Sequence, residues 1–297
     1  MAPAGPIVVW GELLWDRFPD GARLGGAPAN VAWHLGQRAI TGGRRGPAPL
    51  LVTRVGADAD GDEAVRRLAR FVDPALIQRD PDRATGEVMV STDAAGEPRY
   101  RLVPGRAWEH IALTAEAAAA IAVAPALVYG TLAQRTPGGL ASWQAALALA
   151  SPGCLRVCDP NLRPGRFDHA AVAAALAVAD VVKVGDRELA ALGSELGWVD
   201  PLATLRARCR LVAVTHGAAG STLYPADGAP VPIAAVAAVP GGDAVGCGDA
   251  YLAVLLDALL AGAALADAGA AASAWAAMVA GHVGATPIAT MTHIIVI

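Results

Sequence analysis

The sequence predicts an α/β protein built on a mostly parallel sheet with helices on both faces. Short apolar runs alternate with helix-like stretches over most of the 297 residues. The runs are apolar throughout rather than every second residue, as expected of strands covered on both sides. Hydrophobic residues make up 55% of the chain and charged ones 17%, so a sizeable core is available.

The elements follow in order. Ile7–Trp10, Leu50–Val55, Ala126–Tyr129, Cys154–Cys158, Val181–Val184 and Leu211–Thr215 read as buried strands. Between them Ala27–Arg38, Gly61–Phe71, Gly138–Ala150, His169–Ala179 and Asp186–Leu196 read as helices, the βαβ alternation of a parallel sheet. Asp249–Ala261 and Ala266–His282 make the last part helical. Two segments break the pattern. Glu12–Leu24 and Thr85–Val103 are more polar and alternate like exposed strands, and Gly96 and Pro98 supply a turn. They form either a small second sheet over one edge of the main one or a pair of surface hairpins. The tail Met291–Ile297 ends in four apolar residues and is expected to be buried or paired.

The net charge of −4 argues against a general nucleic-acid or membrane-surface role. No uncharged apolar run reaches the ~18 residues of a membrane span, and Met1–Pro6 lacks the features of a secretory signal. Cys154 and Cys158 would stand ~13 Å apart on one strand face, too far for a disulfide. No Cys/His spacing suits zinc, and a reducing cytoplasmic setting is expected. Lys183 is the single lysine in an Arg-rich chain, which could mark a need for a compact ammonium or be a surface accident.

The most informative segment runs from Gly242 to Asp249 and empties into the apolar stretch Ala250–Leu256. Gly246, Cys247 and Gly248 leave the backbone N–H groups of a helix start open to an anion, and Asp249 puts a carboxylate beside them. Phosphoryl transfer to a hydroxyl needs that pairing. A plain helix N-cap would use the same carboxylate. Familiar phosphate signatures fail: Cys247-Gly248 stands where a P-loop needs Lys-Ser/Thr, and Tyr251 spoils the dinucleotide fingerprint, which disfavours a dehydrogenase.

Asp243, Gly246, Gly248 and Asp249 before an apolar helix resemble the signature of the ribokinase-like (PfkB) carbohydrate kinases. Gly25-Gly26-Ala27-Pro28-Ala29-Asn30 resembles that family's first signature in its fructokinase-like form. Leu51–Asp58, Tyr129–Ala133 and Asp159–Arg163 resemble fructokinase-like sequences too. The resemblance covers nearly the whole chain. It implies one kinase domain over 1–297, a doubly wound sheet, and a β lid over the sugar built from roughly 12–24 and 85–111.

The resemblance also implies roles. Asp249 is expected to be the general base, and Gly246, Cys247 and Gly248 the anion hole, where the family usually has a small residue in place of Cys247. A helix start is expected to lower the Cys247 thiol pKa, so that thiol reagents inactivate and ATP protects. Asp16, Gly25, Gly26 and Asn30 are expected to hold the sugar, with Asn161 and Arg163 as further pocket residues, Arg163 having a surface ion pair as its other reading. Lys183, Thr215, Gly217 and Gly220, with Gly246 and Gly248, are expected at the nucleotide. Glu188 is expected to organise magnesium through water, although Gly185 replaces the usual Asn or Ser. Asp243 and the Val245 carbonyl mark a monovalent-cation site, where potassium would sit. His216 is expected to be incidental.

The implied reaction is transfer of the γ-phosphate of ATP to a primary hydroxyl of a small free sugar, with fructose leading. Ribose, 2-keto-3-deoxygluconate and nucleosides stay open, as does a non-catalytic sugar- or nucleotide-binding regulator. Ala27 stands where ribokinases and phosphofructokinases often carry Lys, which disfavours a phosphorylated acceptor. Arg163 would suit a carboxylate-bearing sugar. A homodimer through the lid is expected from the resemblance.

Overall fold

The buried apolar runs become the core of a nine-stranded sheet. The computed structural model describes residues 5–40, 46–92, 98–162 and 168–289. In chain order the strands are β1 (Val8–Trp10), β2 (Leu14–Phe18), β3 (Gly21–Gly25), β4 (Leu50–Gly56), β5 (Ile77–Asp80), β6 (Gly86–Thr92), β7 (Pro98–Leu102), β8 (Ala126–Tyr129), β9 (Leu155–Cys158), β10 (Val181–Gly185), β11 (Leu211–Thr215), β12 (Ser221–Pro225) and β13 (Val231–Ile233). The helices are α1 (Ala27–Ile40), α2 (Ala59–Leu68), α3 (Ala115–Val123), α4 (Pro137–Leu149), α5 (His169–Ala177), α6 (Asp186–Leu196), α7 (Pro201–Arg206), α8 (Cys247–Leu260) and α9 (Leu265–Ala280).

The main sheet runs β13-β12-β11-β10-β9-β8-β1-β4-β5. It is parallel from β11 to β5, and β12 and β13 add antiparallel at one edge. Register explains the uniformly apolar strands. Val9 pairs with Leu51 and Val128, and Val128 with Val157. These side chains enter one core with α1, α8 and α9, while their neighbours Val8, Val52 and Leu127 enter the other with Ile121, Trp143 and Leu176. Successive residues face opposite sides of a strand, so every residue of β1 and β8 is buried.

The polar segments form a second sheet of order β3-β2-β6-β7 rather than separate hairpins. The parallel pairing of β2 with β6 joins them, Leu14 opposite Gly86 and Asp16 opposite Val88.

Several boundaries differ from the sequence expectation. α2 starts at Ala59 because Asp58 accepts from the Gly61 N–H at 2.8 Å and caps it. α8 starts two residues before Asp249, because Gly246 takes a left-handed φ of 76° and turns the chain into the helix. β5, α3, α7, β12 and β13 had no counterpart in the sequence reading. All four cysteines are free. No helix among the described residues is long and apolar enough to cross a membrane. The apolar tail 291–297 lies outside the described residues.

Candidate active site

Chain segments leaving the carboxyl ends of β1, β8, β9 and β10 converge on a cavity of about 680 Å³, the edge at which open α/β sheets bind ligands. The smaller sheet supplies one wall through Leu14, Asp16, Val88, Tyr100 and Leu102, and the first turn of α8 supplies another. The cavity brings together Asp16, Gly26, Asn30, Asn161, Lys183, Val245, Gly246, Gly248 and Asp249, all singled out from sequence.

Asp249 is the third residue of α8, so it is not the helix cap; Gly246 holds that place and offers no side chain. Asp249 is 9% exposed, and Asn30 Nδ2 donates to its Oδ2 at 2.8 Å. Asn30 is carried by the first turn of α1. Gly246 backs directly onto Ala285, leaving no space for a Cβ.

Lys183 is buried, with Nζ donating to Asp159 Oδ2 at 2.7 Å. A Cβ on Gly248 would come 2.8 Å from this Nζ, so the ammonium lies directly against the α8 turn. Burial works against its charge, but the carboxylates of Asp159, Glu188 and Asp249 outweigh that and raise its pKa. Lys183 is therefore buried in the cavity wall and not a surface accident. Glu188 lies behind it. Its Oε1 accepts from Leu162 N at 2.6 Å and its Oε2 from Gly185 N at 2.7 Å. Burial, then Asp159, push its pKa up. Asn161 enters the cavity wall with φ of 45°, the one left-handed non-glycine among the described residues.

Other expected residues lie outside this lining. Gly25 sits against the Asp16 carboxylate. Asp243 accepts from Val245 N at 3.0 Å and Gly284 N at 3.0 Å, bracing the turn that Val245 continues. Thr215 pairs with Gly185 across β11 and β10, and Gly217 and Gly220 follow it in left-handed turns beyond the sheet edge. His216 bridges Asp186 at 2.7 Å and Thr222 at 3.0 Å. Arg163 lies outside the described residues.

Cys247 corrects an expectation. Its thiol is pushed up to about 11, not down, by burial and then by the nearby Asp243 and Asp249 carboxylates. Desolvation and two like charges outweigh the helix start. The sequence reading also missed Glu12, Arg135 and Tyr100 in the lining, and Asp159 as the partner of Lys183. Asp159, Glu12 and Tyr100 stood inside segments already singled out, without these roles; Arg135 carries no local pattern.

Known proteins resemble this chain in sequence and fold. The chain is 32% identical over 272 residues to a fructokinase from Klebsiella pneumoniae, covering 86% of this chain and 85% of that protein. An uncharacterised sugar kinase from Pyrococcus horikoshii, solved in complex with ATP, superposes with a TM-score of 0.79 at 25% identity, covering 94% of each chain. A fructokinase from Vibrio cholerae O395, solved with fructose, ADP and calcium, superposes with a TM-score of 0.76 at 26% identity, again covering 94% of each. The pattern of the pfkB family carbohydrate kinases matches residues 21–291, which takes in Gly25–Asn30 and the α8 turn together. By that match this chain belongs to the pfkB family of carbohydrate kinases, phosphotransferases that act on an alcohol group.

Proposed function

We propose that this kinase transfers the γ-phosphoryl group of ATP to a primary hydroxyl of a small free sugar, fructose first, with Asp249 as general base. The observation that carries the reading is the Asn30–Asp249 hydrogen bond at the mouth of α8, which sets a buried carboxylate between a helix N-terminus and the acceptor wall. Asp249 takes the proton of the acceptor hydroxyl as its oxygen attacks the γ-phosphorus. The bond from that phosphorus to the β–γ bridging oxygen breaks, and ADP leaves. The N–H groups at Gly246–Gly248 lie where charge gathers on the transferred group. Lys183 adds a fixed positive charge against the same turn.

Asp16 and Asn30, with backbone at Gly25 and Gly26, hold the sugar, and the smaller sheet acts as its lid. Thr215, Gly217 and Gly220 receive the nucleotide. Ala27 in the lining brings no positive charge to the acceptor, in keeping with a free sugar. The 32% identity to a fructokinase favours fructose. Magnesium, which neutralises phosphate charge when bound, fits an outer role at Glu188: each carboxylate oxygen accepts one backbone N–H and keeps a lone pair for a bound water. Asp243 has the same spare capacity toward potassium, shared with the Val245 carbonyl. A cytoplasmic enzyme pairing through its lid completes the reading.

The test is ADP release across a panel of free sugars, with and without Asp249→Asn. Fructose-dependent turnover in wild type and its loss in the variant are expected. No turnover with any sugar, or a variant of near-normal rate, overturns the proposal.

A further inference from the structure

The α8 turn has no side-chain cap, because Gly246 holds that position and offers only backbone. The turn is backed instead by the chain beyond α9. A Cβ at Gly246 would meet Ala285 Cβ at 2.4 Å, and one at Gly242 would meet His282 N at 2.3 Å. Asp243 N donates to the His282 carbonyl at 2.9 Å, and Gly284 N donates to Asp243 Oδ2 at 3.0 Å.

This backing segment, residues 282–289, belongs to no helix or strand. Three buried side chains of α1 hold it. Trp33 Nε1 donates to the Pro287 carbonyl at 3.3 Å, and Gln37 Nε2 donates to the same carbonyl at 2.8 Å. Ala289 N donates to Gln37 Oε1 at 2.7 Å. Fully buried His34 takes Ala285 itself. Its Nδ1 accepts from the Trp275 indole N–H at 3.2 Å, so its ring proton is on Nε2 and is donated to the Ala285 carbonyl at 2.9 Å. His34 and Gln37 stand outside the cavity lining and take part in no step of the reaction above.

We propose that His34 and Gln37 are positioning residues for phosphoryl transfer, acting through residues 285–289 to keep the N–H groups of the α8 turn aimed into the cavity. This rests on the kinase reading above and deepens it. Donors that meet a developing charge help most when their direction is fixed beforehand. Glycine leaves that direction free, so neighbours must supply it. Ala285 supplies it at Gly246 with a methyl group, and His34 fixes Ala285 by its carbonyl. The position calls for an acceptor toward Trp275 and a donor toward Ala285 at once, which a single imidazole tautomer provides.

The test is steady-state kinetics of His34→Leu, His34→Gln and Gln37→Met, each well below its melting temperature. His34→Leu and Gln37→Met should lower kcat about 10- to 100-fold, the cost of displacing a reacting group by about 1 Å, while the KM of the sugar stays within about twofold. His34→Gln keeps a donor and an acceptor on one amide and should recover most of the loss. A role in stability alone would lower the melting temperature and leave kcat of the folded enzyme unchanged. A kcat within about twofold of wild type in either His34→Leu or Gln37→Met therefore overturns the inference, as does a sugar KM that rises as far as kcat falls. A His34→Gln variant no faster than His34→Leu overturns it too. Should His34→Leu fail to fold, Gln37→Met decides. Hydrogen exchange of the peptide spanning Asp243–Asp249 separates this inference from the kinase reading. It should quicken in the folded variants whether or not any sugar is phosphorylated, and unchanged exchange overturns the inference. A wild type that phosphorylates no sugar overturns the kinase reading instead.

Discussion

Asn30 Nδ2 donates to Asp249 Oδ2 at 2.8 Å, joining two residues 219 positions apart. The amide fixes the direction of the carboxylate. The contact joins the starts of two helices, α1 and α8, in the cavity wall.

Replacing Asp249 by Asn should leave the fold intact and lower kcat by about 100-fold or more, the usual weight of a positioned general base. Asn30→Ala should lower kcat less and raise the sugar's KM. Parallel melting curves and initial rates check both; equal loss in kcat for the two variants would separate Asn30 from a purely orienting role.

The Lys183–Asp159 pair is buried on both sides, with side chains 8% and 5% exposed. Removing one partner of such a pair leaves a buried charge alone, at about 3–5 kcal/mol. Lys183→Met should therefore shift the urea midpoint strongly downward, and adding Asp159→Asn should recover part of it. A double variant no more stable than the single one would show that the pair is not the cause.

Cys247 should react slowly with iodoacetamide at neutral pH, because its thiol sits near 11. Only the thiolate attacks, so the rate should rise about tenfold per pH unit up to that value. Mass spectrometry of the Cys247 peptide reads this directly. Rapid labelling at pH 7 that ATP prevents would restore the activated thiol suggested by its place in the sequence.

Glu12 links stability to pH. Burial, partly offset by its backbone hydrogen bonds and added to by Asp249, moves its carboxyl from 4.5 to about 7. Between those values the folded chain holds a proton that the unfolded chain has released. Its contribution is full below about 4.5 and is lost as pH rises through about 7, worth about 3 kcal/mol in all. Glu12→Gln has no such proton to lose. Its urea midpoint should fall less than that of wild type between pH 5 and 8; parallel decline would reject the assignment.

The central strands were legible because burial on both faces demands apolar residues at every position, as at Val8, Val9 and Trp10. α3 was passed over, although Thr114 stands at its start as a cap and accepts from Ala117 N at 3.2 Å. β12 and β13 extend the sheet antiparallel, outside the βαβ rhythm. In the site, Asn30, Lys183 and Asp249 stood within recognisable segments. Arg135 did not, and Glu12 only opened the lid segment; the place of each in the cavity depends on neighbours that only the folded chain supplies. The Cys247 expectation failed for a similar reason: sequence displays the helix start but not the burial or the two carboxylates around the thiol.

Helix α1 does more than present Asn30. One and two turns farther along, His34 and Gln37 hold the chain beyond α9. Neutral His34, its pKa lowered to about 4 by burial, takes the Trp275 indole N–H at Nδ1 and so donates from Nε2 to the Ala285 carbonyl at 2.9 Å. Gln37 bonds Pro287 and Ala289. Ala285 is the wall behind Gly246. One helix thus acts as a ruler, setting the separation between the Asn30 amide and the backing of the α8 turn. A shift of α1 would move both together, so two walls of the cavity share a single mechanical reference inside the protein.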